Sequence, residues 1–268
     1  MTLIACLHPK NGRALLADSL ICSADSRDDL MVPTRVYIPL QRLREMLLRP
    51  VDLRRKVIEI RPDLVALWSG KGGLAETFAR RTREWFKYRP PSEDEMRLFL
   101  DAHYHDRVEG LSVIMVSALT PIYFMVGSVV RSSAPFAGEY AVAGTGKEIL
   151  VNMVNEMQPR EDEALSPAMD ALRIANDLLA REIVTKDTIC NGFSGAYEVL
   201  YQGPKGFERV DDVMHAFASV NLNTMEIGHY PHALRQWYEG DNYASRRLQT
   251  RKSIDKALNL CVLKFQTS

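Results

Sequence analysis

The chain has 268 residues, 46% hydrophobic and 25% charged, a composition suited to one large or two modest globular domains with a sizeable buried core. Lys plus Arg and Asp plus Glu both number 34, so no overall field favours nucleic acid or an anionic membrane as a partner. There is no apolar run of about 18 residues and no charged start followed by an apolar stretch, so the expectation is a cytoplasmic protein with neither a spanning helix nor a secretory leader.

The first element is a hairpin at the N-terminus: apolar runs from Thr2 to Leu7 and Arg13 to Ile21 flank His8-Pro9-Lys10-Asn11-Gly12, which supplies the turn chemistry. Leu20 to Arg55 is too long for a tight connection and is rich in arginine, with a short helix expected over 40–48. A second hairpin follows, Lys56 to Ile60 and Leu64 to Trp68 about Arg61-Pro62-Asp63, and it runs into the glycine-rich bend Ser69 to Gly73. Helical spacing of Leu74, Phe78, Trp85 and Phe86 predicts a helix from Gly73 to Tyr88, stopped by Pro90-Pro91. Ser92 with Glu95 forms a capping box for another helix reaching His105.

Leu111 to Ala118 and Ile122 to Val129 make a third hairpin, and Tyr140 to Ala143 is a short strand ending at Gly144-Thr145-Gly146. Lys147 to Met157 reads as a helix, and Ser166-Pro167 opens a further one to about Val184. A last hairpin joins Ser194 to Tyr201 with Phe207 to Val210 over Gly203-Pro204. Antiparallel hairpins alternating with helix pairs imply an α+β fold of stacked sheets with helices on the outer faces. The expected organisation is one domain over residues 1–210, with an insertion at about 20–55, and a C-terminal extension over 211–268 packed on it.

Metal chemistry has little support. Cys6, Cys22, Cys190 and Cys261 are scattered, without a CxxC pair or a His/Cys cluster at ligand spacing, so they read as buried reduced thiols. His103 and His105 point to different faces of a polar helix and read as surface residues. No cofactor is expected.

The chemistry-bearing feature is Met1-Thr2. Removing one methionine, which a small second residue permits, leaves a threonine whose hydroxyl and free α-amine sit on one residue. The hydroxyl attacks a carbonyl and the amine takes its proton, directly or through a water, so no catalytic histidine is required.

Several motifs follow in order. TLIACL, the turn and ALLADS resemble the opening hairpin and Ala-Asp-Ser/Thr motif of the β-type subunits of the proteasome and their bacterial relatives, N-terminal nucleophile hydrolases that act as threonine peptidases. RRKVIEIRPDLVALWSG is similar to that family's lysine strand, turn and glycine loop. GTG at Gly144 to Gly146 resembles its Gly-Ser-Gly, and NGFSG at Asn191 to Gly195 its Asp-x-x-Ser-Gly. The resemblance runs from Thr2 to about Tyr201.

It implies a four-layer αββα sandwich of two antiparallel sheets flanked by helices. It also assigns the nucleophile to Thr2, the catalytic aspartate and lysine to Asp18 and Lys56, and the oxyanion-binding backbone N–H to Gly70. Thr145, Asn191 and Ser194 fall where the family hydrogen-bonds around the amine, and Ile21, Cys22, Gly72 and Trp68 where it lines the substrate cleft. Asp18 would pair with Lys56 and hold it charged, and the Lys56 charge would favour an alkoxide-like oxygen while keeping the amine neutral. A free α-amine titrates near pH ~8, so it is partly available as a base at neutral pH. Threonine's β-branch restricts χ1 and helps to aim the oxygen.

Asn191 in place of an acid weakens the charge network, Cys22 in place of threonine spares a backbone role, and Trp68 implies a shallow or reshaped S1 pocket. Three functions therefore stay open. The first is a self-compartmentalising threonine peptidase, identical subunits in rings or a related closed array cleaving unfolded protein or peptides, fed by an ATP-driven unfoldase. The second, favoured by Asn191 and Trp68, is a catalytically silent structural subunit on the same fold. The third is a small-amide hydrolase of the wider class.

Overall fold

The computed structural model describes residues 2–8, 12–18, 20–23, 29–33, 49–53, 55–105, 108–120, 123–157, 174–175, 178, 193, 197–209, 214–221 and 226–233. The chain divides into two compact units. One comprises Met1–Ala17, Lys56–Asn176 and Glu198–Val210, the other Asp18–Arg55, Asp177–Tyr197 and Asp211–Ser268.

The first unit is mixed α/β and is built on two sheets whose described strand pairs are antiparallel. The expected N-terminal hairpin is present as β1 (Leu3–His8) and β2 (Ala14–Asp18), paired from Ile4↔Ala17 to Leu7↔Ala14. On its other edge β1 pairs with β11 (Gly138–Gly144), and β11 with β10 (Val129–Ala134). The hairpin of β12 (Tyr197–Gly203) and β13 (Gly206–Arg209) completes a six-stranded sheet ordered β10-β11-β1-β2-β12-β13. A four-stranded sheet takes β6 (Val57–Arg61), β7 (Leu64–Gly70), β8 (Leu111–Ser117) and β9 (Tyr123–Val126) in chain order.

Period-two alternation decides what each strand contributes to the core. Ile4 and Cys6 of β1, Leu15 and Ala17 of β2, and Ala141 and Ala143 of β11 join Val57, Val65, Leu67, Ile114 and Val116 of the four-stranded sheet in one buried cluster. The intervening Leu3, Ala5 and Leu7 are also fully buried. That double burial explains why β1 reads as a continuous apolar run.

The helices bury apolar stripes on these sheets. Helix α1 (Gly72–Phe86) packs Ala75, Phe78, Ala79 and Phe86 against β6 and β7. Helix α2 (Glu93–Tyr104) begins where expected, the Ser92 hydroxyl accepting from the Glu95 N–H at 3.4 Å, and it meets β9. Helix α3 (Lys147–Glu156) packs on β10 and β11 and buries Leu150, Met153 and Val154. Phe99 sits among the rings of Phe78, Trp85 and Phe86, at centroid distances of 6.0, 5.8 and 5.6 Å. His103 is exposed, as expected, and leans its ring on Trp85 and Phe99. Among the described residues no helix is long and apolar enough to cross a membrane.

A buried arginine ties the two sheets. The Arg13 guanidinium, just before β2, donates to the Ser117 carbonyl at the end of β8 and to the Thr120 carbonyl in the turn beyond it, and burial lowers its pKa. Spending an arginine on two carbonyl ends satisfies backbone acceptors that would otherwise be buried at the turn.

The second unit holds β3 (Leu20–Ser23) paired with β5 (Arg49–Leu53), and a three-stranded sheet ordered β15-β14-β4, formed by β4 (Asp29–Pro33), β14 (Met214–Asn221) and β15 (Glu226–Ala233). Strands β14 and β15 were not expected from the tail, nor β10 from its polar sequence VVRSSA. The helix expected over 40–48 lies outside the described residues. Of the helix expected from Ser166, the described Ile174, Ala175 and Leu178 are helical and buried.

Measurements at Phe99 and Cys6 test this core. Phe99→Ala should destabilise the protein by about 3–5 kcal/mol in urea denaturation, because it empties the centre of the ring cluster. Burial pushes the Cys6 thiol from its ordinary 9.0 up to about 12. Its contribution to stability is therefore complete below pH 9 and is lost as pH rises toward 12, since the unfolded chain ionises first. The urea midpoint should fall over that window, less steeply in Cys6→Ala, and peptide mapping should find Cys6 alkylated at pH 8 only after unfolding.

Candidate active site

The start of β1 is held by the loop between β11 and α3. Leu3 pairs with Gly144, which places Thr2 beside Thr145 and Gly146. The Thr2 nitrogen donates to the Thr145 hydroxyl at 3.1 Å, and that hydroxyl donates to the Thr2 carbonyl at 3.2 Å. One hydroxyl thus uses its proton and one of its lone pairs on the same residue. A second donor to the Thr2 carbonyl is the Gly146 N–H, at 3.3 Å, at the N-terminus of α3. Gly144 has φ +98°, and a Cβ there would lie 2.1 Å from the Thr2 carbonyl oxygen. Only glycine allows the strand end to approach Thr2 this closely.

The facing element is the start of β6. The Lys56 ammonium donates to Thr2 Oγ1, in a short contact between two side chains 54 residues apart in sequence. Lys56 is 0% exposed and Thr2 2%. Burying an ammonium is expensive unless its protons are bonded, so a lysine that ends on a threonine hydroxyl is not ordinary core filling. The Lys56 main chain is anchored twice. Its carbonyl accepts from the Trp68 N–H at 3.0 Å, continuing the β6–β7 ladder, and its N–H donates to Glu198 Oε2 at 3.1 Å.

Thr2, Lys56 and Thr145 are therefore brought together. In the chain that carries Met1 the Thr2 nitrogen is a peptide nitrogen; after a cut before Thr2 the same atom is an α-amine. Either form has a proton for Thr145, but only the amine has a basic lone pair.

The remaining expected residues fall as follows. Asp18 is fully buried at the end of β2, next to Ala17, which pairs with Ile4. Trp68 is buried in β7 opposite Val113. Gly70 is the exposed last residue of β7, with φ +115°, and a Cβ on it would meet the Gly110 carbonyl oxygen at 2.2 Å. Gly72 is the first residue of α1. Ile21 and Cys22 lie on β3, opposite Asp52 and Pro50. Asn191 and Ser194 lie outside the described residues.

Glu198 is the residue that sequence reasoning missed. It is fully buried in β12 and its carboxylate touches the start of β6. The available signal was an acid in the middle of the apolar run Tyr197 to Leu200. Among the described residues no group of three or more His, Cys, Asp or Glu side chains is placed to hold a metal ion.

No protein-family model matches the chain, and no curated protein matches it in sequence.

The glycine requirement yields a paired test. Gly144→Ala should lower stability by roughly 1–3 kcal/mol, because a left-handed backbone and a clash with Thr2 coincide. Gly73→Ala, where an added Cβ meets nothing within 4 Å near the start of α1, should instead be neutral or stabilising by up to about 1 kcal/mol. Equal effects in denaturant melts would contradict the geometry.

Proposed function

We propose that the chain is an N-terminal nucleophile hydrolase of the proteasome β-subunit type, a threonine peptidase in which Thr2 acts once its amine is free. The observation that carries this reading is the buried Lys56 ammonium on the Thr2 hydroxyl, beside a Thr2 nitrogen held by Thr145. Supporting it are the order of strands and helices and the two sheets sharing one core, with α1 and α2 packing on one sheet and α3 on the other. The reading takes these as the layers of an αββα sandwich.

In the proposed reaction the Thr2 oxygen attacks the carbonyl carbon of a peptide bond and its proton passes to the Thr2 amine. Lys56 lowers the energy of the oxygen as it gains negative character. The carbonyl oxygen becomes an oxyanion, for which the Gly70 N–H is the assigned donor, a contribution worth about 3 kcal/mol in other hydrolases. Collapse breaks the C–N bond, the departing amine takes the proton held by the Thr2 nitrogen, and an ester remains on Thr2 Oγ1. Water then hydrolyses that ester with the same amine as base. Unfolded protein or peptides as substrate, homo-oligomeric rings or a related closed array, and an ATP-driven unfoldase come with the resemblance.

A processed sample, its intact mass confirming loss of Met1, should be labelled at Thr2 by a peptide epoxyketone, which needs a hydroxyl and an amine on one residue. Thr2→Ala should lose hydrolysis of a casein-like substrate by roughly a thousandfold or more. Lys56→Met should lose roughly a hundredfold or more while remaining folded. Processed protein that resists labelling would leave a silent subunit as the better description. Turnover of small amides without casein cleavage would favour the metabolite hydrolase.

A further inference from the structure

Glu198 is a carboxylate taken wholly out of water, flanked in β12 by the buried Tyr197 and Val199. Burial of that kind is retained only where the acceptor oxygens have dedicated partners. Its Oε2 accepts from two successive main-chain N–H groups, Lys56 at 3.1 Å and Val57 at 3.2 Å. In a regular strand successive N–H groups point to opposite sides. Two that converge on one oxygen form the concave backbone arrangement that holds anions. The main chain at the entry to β6 is thus turned around the Glu198 carboxylate. Its other oxygen faces the Arg209 guanidinium at 3.8 Å, and the same Arg209 nitrogen bonds the Glu59 carboxylate.

The Lys56 side chain has little freedom of its own. It is fully buried, so the position of its ammonium follows from the position and direction of its main chain. We propose that Glu198 is a positioning residue for the reaction: it sets the main chain of Lys56 so that the ammonium meets the Thr2 hydroxyl. The inference rests on the proposed role of Thr2 and Lys56, and it names a residue outside the motifs that point to that role. Glu198 acts chiefly through an acceptor atom at a fixed reach, with the Arg209 guanidinium facing its other oxygen.

Two substitutions separate reach from charge. Glu198→Asp keeps the charge and withdraws the acceptor by one methylene; Glu198→Gln keeps the reach and one acceptor oxygen and removes the charge. Hydrogen exchange should show the Lys56 and Val57 amides opening at least roughly tenfold faster in Glu198→Asp, with the β7 and β8 amides unchanged, and near wild-type rates in Glu198→Gln. For peptide hydrolysis by processed protein, Glu198→Asp should lower kcat by roughly a hundredfold with KM within about twofold, and Glu198→Gln should restore most of kcat. Unchanged exchange at Lys56 and Val57 in Glu198→Asp would overturn the proposal, as would a Glu198→Gln variant more impaired than Glu198→Asp. If processed wild-type protein neither hydrolyses peptides nor takes the epoxyketone, the Thr2 reading fails alone, and the exchange rates still decide what Glu198 holds.

Discussion

A lysine ammonium buried against a threonine hydroxyl constrains everything around it. The ammonium loses its hydration shell, and the hydroxyl that receives one of its protons is itself almost completely buried. Such a contact survives only if both ends are held by structure stiffer than a lysine stem. One end is the start of β1 in the six-stranded sheet, the other the start of β6 in the four-stranded sheet. The contact therefore depends on how the two sheets are packed, which is set by the interleaved Ile4, Cys6, Leu15, Val57, Val65 and Leu67. Arg13 adds a polar tie between the same sheets. The core and the site are one mechanical system, and a cavity in the first is felt as a displacement in the second.

Each end is held through its own main-chain groups, by backbone and side-chain partners together. At the Thr2 end, Gly144 lets β11 come within touching distance of the Thr2 carbonyl, and the Gly146 N–H at the head of α3 meets that carbonyl. At the Lys56 end, Trp68 holds the carbonyl and Glu198 the N–H.

What was legible in the sequence follows from the range over which each signal acts. Local signals read well: Ser92 capping α2, the helical stripe of Phe78 and Phe86, and the turn at Arg61-Pro62-Asp63 all appear where expected. The meeting of Thr2, Lys56 and Thr145, 54 and 143 residues apart, was not a local signal; only the resemblance implied it. Strand β10 escaped because half of its residues are exposed and, among the described strands, it pairs with β11 alone, so it lacks the apolar pattern that marks a strand. Glu198 escaped for a different reason. Its partners, Lys56 and Val57, lie 142 and 141 residues away, and an acid within an apolar run gives no hint of which backbone it will meet. Pairings set by tertiary packing leave no local trace.

Loss of Met1 would turn the Thr2 nitrogen from an amide into an amine, which changes the basicity of the atom that Thr145 holds. The Thr145 hydroxyl accepts a proton from the Thr2 nitrogen while donating its own to the Thr2 carbonyl, and both bonds are compatible with an amide or an amine at that nitrogen. The hydroxyl already has its ammonium, and the carbonyl already has its two donors. An amide lone pair is delocalised into its carbonyl and cannot take a proton at neutral pH, whereas an α-amine can. Under the proposed function, freeing the amine supplies the base. On the proposed reading, the site is assembled by folding and armed by covalent chemistry at the Thr2 nitrogen.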